Sequence, residues 1–239
     1  MTAKLELASY AFCENDELCL RAGSGHLKKV LLIPPLFDEM NRMRRMLVDV
    51  MRHLDKGGLG SVMPDLPGMN ESHFPQEQAS LTLWKEALVN CRDTFNTRYS
   101  ASFRGGCLID DFADKIDGDN KKWRFAPVKG SALLRTMMRT RIASDKEAGL
   151  STDIAQLTAE AESGQVNLAG NAISSSMFSE LQSAEPDSAE NVRTAQLENK
   201  AQGADIGLPG TALWLRAEPG DDARLSAAIA NDLLSWMDA

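Results

Sequence analysis

No histidine follows His73 in this chain of 239 residues; His26, His53 and His73 all fall in its first third. That absence excludes any scheme whose general base is a histidine late in the sequence. Cysteine is scarce and scattered, with Cys13, Cys19, Cys91 and Cys107 forming no C-x-x-C pair. A zinc knuckle and a thioredoxin-like redox site are thereby removed, leaving reduced, mostly buried thiols and no expected metal or cofactor. No stretch approaches the roughly 20 apolar residues of a membrane span. The opening "MTAKLELASYAF" lacks the basic region, apolar run and small-residue cleavage site of a secretory leader, so a cytoplasmic protein is expected. Net positive charge is also missing. At −8 the chain repels phosphate backbones, which argues against nucleic acid as a partner.

What is present is the ordinary balance of a globular protein, 43% apolar and 25% charged, enough to bury a sizeable core. One α/β domain over residues 1–239 is the expectation. "LELASYAF" and "ELCLRA", separated by a polar turn, read as a β-hairpin, and "VLLIPP" reads as a strand buried on both faces. Met40, Met43, Leu47, Val50 and Leu54 mark the packed face of a helix ending at Gly57. "LGSVMPDLPG" supplies a further strand and loop, and Trp84, Leu88, Cys91 and Phe95 mark a second helix capped by Ser80. "YSASF" is a weak strand, followed by "RGG" and a helical stripe of Leu108, Phe112 and Ile116. "KKWRFAPV" and "TALWLRA" read as later strands, and Leu225, Ile229, Leu233 and Trp236 lie on one face of a last helix. Between Gly130 and Gly210 the strand signal disappears. Residues 130–205 are expected to form a helical cap inserted into a mostly parallel sheet.

In such a sheet a ligand lies at the carboxyl ends of the strands, here "PPLFDEMNRMRR", "PDLPGMNES" and "SFRGG". "IPPLFDEMNRMRRM", followed from Met63 by "MPDLPGMNES", resembles the α/β-hydrolase fold and, within it, the exosortase-associated hydrolases of bacterial exopolysaccharide gene clusters. The resemblance continues in "RFAPVKGSALLRTMMRTRIAS" and "NLAGNAISSSMFSEL", covering most of Val30 to Leu181. It is to the second of two types, which has arginine where hydrolases carry the nucleophile. The usual elbow is G-x-S-x-G; Ser102, Phe103, Arg104, Gly105 and Gly106 match it here. A guanidinium does not deprotonate near neutral pH and cannot attack a carbonyl. The required order of nucleophile, acid and histidine also fails for want of a late histidine.

Arg104, beside Gly105 and Gly106 at an expected helix N-terminus, could bind a carboxylate or phosphate. Equally, it could pair internally with Asp38, Glu39 or Asp65. The resemblance implies an oxyanion-hole loop at Pro34, Pro35, Leu36 and Phe37, with Asn41, Arg44 and Arg45 either near a ligand or lining the following helix. Cys107 is an alternative nucleophile or a small packing residue, and Asp65 an alternative base. Asp110 and Asp111 are expected to be solvated or to stabilise a helix start.

Lys121 to Ser144 holds seven basic residues and no acid. Arg135, Arg139 and Arg141 there form the basic flank of an amphipathic cap helix, either a solvated face or a source of cations for an acidic ligand or an anionic membrane surface. The leading expectation is a hydrolase fold without a triad that binds an anionic small molecule or carrier, in exopolysaccharide production or surface-protein sorting. An unusual ester or thioester hydrolase and a non-catalytic interaction module are the competitors.

Overall fold

A computed structural model describes residues 4–112, 121–188 and 191–238. Strands β1 (Leu5–Phe12) and β2 (Asn15–Ala22) form the expected antiparallel hairpin. Next in the chain come β3 (Lys29–Ile33), α1 (Asp38–Lys56), β4 (Gly60–Pro64), α2 (Leu81–Phe95), β5 (Tyr99–Phe103) and β6 (Lys122–Phe125). After β6 the chain leaves the sheet as α3 (Gly130–Glu147), α4 (Ile154–Ser163), a small hairpin of β7 (Gln165–Leu168) and β8 (Asn171–Ser174), and α5 (Ser175–Ser183). It returns as β9 (Val192–Leu197) and β10 (Ile206–Leu208) and ends in α6 (Ala223–Asp238).

The main sheet has the order β1-β2-β4-β3-β5-β6-β9-β10, parallel from β4 onward. Alternation along β3 sends Val30 and Leu32 to the α1 and α6 side and Leu31 and Ile33 to the α2 and cap side, so both faces are covered. The methionines of α1 are core: Met40, Met43, Met46 and Met51 are almost wholly buried. The Ser80 hydroxyl accepts a bond from the Leu83 amide and caps α2. Among the described residues no helix is long and apolar enough to cross a membrane, and no group of three or more His, Cys, Asp or Glu could hold a metal.

Three expectations need correction. The helical insertion does not run to residue 205, because Val192–Leu197, within that segment, pair in parallel with β6. Only Ala195 and Leu197 of this strand are fully buried, which leaves a faint alternation. The cap also contains a hairpin, β7 and β8, and is not purely helical. "TALWLRA" is not a strand. Leu213–Leu215 form a single 3-10 turn, with Leu213 and Trp214 buried and Leu215 exposed.

The cap is fastened to the body. Glu180 of α5 accepts a 2.6 Å bond from the Leu81 amide, an orphan donor at the start of α2. Gln76 accepts from the Ala172 amide at 2.8 Å and donates to Asn171 at 3.2 Å. Glu180→Ala is expected to cost about 1 kcal/mol, the value of a carboxylate at a helix N-terminus. Urea unfolding would measure it, and an unchanged midpoint would show that the cap is held by apolar packing alone.

Candidate functional site

The β5–turn junction is the centre of the site. Arg104 follows the last strand residue with φ at +54°, the left-handed region that costs a residue with a Cβ conformational energy. Its Nε and Nη2 donate to the two carboxylate oxygens of Glu39 at 3.1 and 3.0 Å, and its Nη1 donates to the Ala126 carbonyl at 3.0 Å. The guanidinium carbon lies 4.3 Å from the centre of the Trp214 ring. The side chains of Arg104 and Glu39 are 12% and 6% exposed, so the fork–fork pair is largely dry. Burial pushes the Glu39 carboxyl up from its ordinary value, and the Arg104 guanidinium pulls it back. Of the two roles open to Arg104, the geometry takes the internal pair, with Glu39 as the partner.

The two glycines serve packing. A Cβ on Gly106 would lie 2.4 Å from the Pro34 carbonyl oxygen and 2.8 Å from that of Ile33, and one on Gly105 would meet the Leu36 side chain at 3.0 Å. They let the turn lie directly on the end of β3, with their surface buried. The α-helix expected after them is absent among the described residues. Arg104–Leu108 is a 3-10 turn, Ile109 to Phe112 are irregular, and Ile116 lies outside the described residues. The expected anion site at a helix N-terminus therefore has no α-helix behind it.

What replaces that helix is a buried ionic layer beneath β5 and β6. Ser102 and Arg124 are register partners across the two strands, and Asp110 closes on both. Arg124 donates to the Asp110 oxygens at 2.7 and 2.6 Å, and the Ser102 hydroxyl donates to Asp110 at 2.6 Å. Burial pushes the Asp110 carboxyl up, against the downward pull of Arg124 and Ser102. Arg124 also holds the Asp187 carbonyl at 2.6 Å and its carboxylate, and Lys122 reaches the same carboxylate at 3.3 Å. Asp110 is thus drawn under the sheet, not displayed on a helix start, while Asp111 pairs with Lys85 at 2.7 Å.

The other candidates are separated. Leu36 and Phe37 are buried in apolar packing, Phe37 against the Trp84 ring at 5.6 Å between centroids. Asn41 is exposed, away from them. Cys107 is 1% exposed, 3.3 Å from the Ser102 hydroxyl, and burial pushes its thiol up to about 12, the opposite of an activated nucleophile. Asp65 sits at the end of β4, accepts from Asn70 at 2.9 Å and lies 3.8 Å from Arg44; Arg45 instead pairs with Asp221. Arg135 and Arg139 are exposed, whereas Arg141 is tied to Asp145 at 2.8 Å and to the Asn167 carbonyl at 2.7 Å.

The chain order places a triad acid after β9 and a histidine after β10. The first loop offers the exposed Glu198 and Asp205, the latter accepting from the Thr194 amide at 2.7 Å, and the second offers Trp214 on the face of Arg104. Beside this junction is a cleft of about 460 Å³ between α1 and the cap. Its wall includes Asp38 and Arg42 of α1, Arg141 and Asp145 of α3, and the β7–β8 turn. Arg42 pairs with Asp38 at 2.7 Å and donates to the Trp214 carbonyl at 2.9 Å. Trp214 is therefore held by one arginine at its ring and another at its backbone. The cleft was not foreseen; the spacing of four between Asp38 and Arg42 and between Arg141 and Asp145 was its only local signal.

No family model matches the chain, and no curated protein matches it in sequence. Solved structures do match. Est1E of Butyrivibrio proteoclasticus, with ferulic acid bound, superposes with a TM-score of 0.64 at 13% identity, covering 97% of this chain and 100% of its own. Alpha/beta hydrolase domain-containing protein 10 from mouse gives 0.56 at 13% identity over 98% and 97% of the two chains. The hypothetical protein PA2218 of Pseudomonas aeruginosa gives 0.59 at 10% over 99% and 94%. With the strand order and flanking helices, these similarities define the architecture: the chain has the α/β-hydrolase fold.

Glu39→Gln leaves the Arg104 charge buried without its partner and is expected to cost about 3 kcal/mol in a denaturant melt. The double variant Glu39→Leu with Arg104→Gly removes both charges and relaxes the left-handed backbone, and should recover much of that loss. A cost for Glu39→Gln within about 0.5 kcal/mol would show that the pair does not hold the junction.

Near the Asp65 end of the sheet, Glu17 is 1% exposed, accepts from Ser72 at 3.0 Å with one oxygen, and leaves the other without a partner among the described residues. Burial raises its carboxyl above the usual range. A folded value above the unfolded one makes stability fall as pH rises through the folded value. Glu17→Gln should therefore melt higher than the parent at pH 7 to 8, with the difference closing as pH falls below the ordinary Glu value of about 4.3. A gap independent of pH would remove this assignment.

Proposed function

We propose that this protein is a non-hydrolytic member of the α/β-hydrolase fold that binds an anionic small molecule, or the anionic group of a carrier. The ligand lies in the cleft between α1 and the cap. The setting is the one its resemblance implies, bacterial exopolysaccharide production or surface-protein sorting. A single observation carries the reading: the nucleophile's left-handed turn is occupied by Arg104, whose largely buried guanidinium is committed to Glu39, the Ala126 carbonyl and the Trp214 ring. A guanidinium does not attack a carbonyl, and the partners of this one are internal.

The anion's cations are then Arg42 and Arg141, which line the cleft and keep N–H donors beyond those given to Asp38, Trp214, Asp145 and Asn167. Hydroxyls of Thr140 and Ser144 on the same wall suit a polyhydroxylated partner such as a uronic acid or sugar phosphate. The competing ester or thioester hydrolase would need Cys107, a buried thiol with no histidine to take its proton.

A chain-length series of chromogenic esters and thioesters should show no turnover above background with the parent, Arg104→Ala or Cys107→Ala. Turnover abolished by Cys107→Ala would replace this reading with the hydrolase. Uronic acids and sugar phosphates, titrated against intrinsic tryptophan fluorescence, should bind about tenfold or more weakly to Arg42→Ala, the loss expected for a hydrogen bond to a charged group. Neutral sugars binding as well as their acidic counterparts would sink the anionic assignment.

A further inference from the structure

The cap carries a second depression, of about 200 Å³, between α3, α4 and α5. Its floor is apolar: Leu134, Met138 and Phe178 line it, and Ile154, nearly half exposed, stands at its rim. Leu150, in the turn leading to α4, is 60% exposed. Arg135 lines the same depression and Arg139 follows one turn along α3; both are exposed, and neither forms an ion pair among the described residues. Of the two acids that end α3, Asp145 is taken by Arg141, and Glu147 lies exposed in its last turn, beyond Arg135 and Arg139. The surface is thus a cationic rim around an apolar floor, on a chain whose net charge is −8.

The geometry points to this face as a docking surface for a bilayer rich in anionic lipid. Charge complementarity selects the sign of the partner. Two unpaired guanidiniums on neighbouring turns of one helix present a cationic row to anionic headgroups, while the acidic remainder of the chain is repelled from the same surface and orients the cap toward it. The depression is smaller than the roughly 300 to 1,000 Å³ of sites that enclose a small molecule, so an acyl chain cannot be swallowed here. Ile154 and Leu150 instead reach the headgroup boundary as shallow apolar anchors. The attachment is reversible, since it rests on few charges and little apolar area.

The test is flotation of the full chain with phosphatidylcholine vesicles, alone and containing phosphatidylglycerol. Binding is expected to the anionic vesicles only, to weaken as salt shortens the screening length, and to fall about fivefold for each of Arg135→Gln and Arg139→Gln. Ile154→Ser should weaken binding without changing its salt dependence. Arg98→Gln, an exposed arginine elsewhere on the chain, is the control and should float like the parent. All these side chains are exposed, so circular dichroism melts should match the parent's. Absence of flotation, equal flotation with neutral vesicles, or losses no larger for Arg139→Gln than for Arg98→Gln would each overturn the proposal. So would saturation by a short-chain anionic amphiphile below its micellar concentration, which would make the occupant a monomer. Vesicle flotation reads this surface alone: the cleft beside α1 is lined by the next turns of α3, Thr140 to Asp145, and is tested by sugar-acid titration instead.

Discussion

The bidentate contact between Arg104 and Glu39 stands where four parts of the molecule meet. Arg104 ends β5, Glu39 begins α1, Ala126 ends β6, and Trp214 comes from the segment after β10. Phe37, Arg104 and Ala126 all have left-handed backbones, and they cluster around this one pair. Strain of that kind persists only where neighbouring contacts over-determine it. Here the guanidinium supplies those contacts. The same atoms that hold the turn also stand at the position the resemblance assigns to a hydrolase nucleophile.

The ionic layer under β5 and β6 is the second organising feature. On one face these strands show Phe103, Trp123 and Phe125, an aromatic core; on the other they show Ser102, Lys122 and Arg124, all nearly inaccessible to water. Such charges are tolerable only when paired, and Asp110 and Asp187 provide the partners. Asp110 comes from just past the turn and Asp187 from the exit of the cap. Each therefore fixes a segment of irregular backbone to the sheet.

These two features explain where the sequence was legible. The hairpin, β3, α1, α2 and α6 follow ordinary apolar periodicity and could be read directly, as could the order of strands and helices that defines the fold. "YSASF" looked weak because half of it faces the ionic layer, where serine is the fitting residue. β9 was missed for a related reason, since only Ala195 and Leu197 of "VRTAQL" enter the core. The helix read from Leu108 and Phe112 fails because Asp110, between them, is bound to Arg124, a contact between residues 14 apart that no local pattern reveals. Arg104's position at the turn was readable from its neighbours. Its partner was readable only as one of three acids, since the choice of Glu39 depends on how α1 leaves its left-handed residue, Phe37.

The bonds from Glu180 to the start of α2 and from Gln76 to the β7–β8 hairpin bear on the kinetics of this fold. A cap tied to the body at two separate points must break both contacts before it can swing. Under the proposed reading, a ligand of the cleft beside Arg42 would therefore enter through the open side of the cleft, its arrival governed by diffusion and local charge.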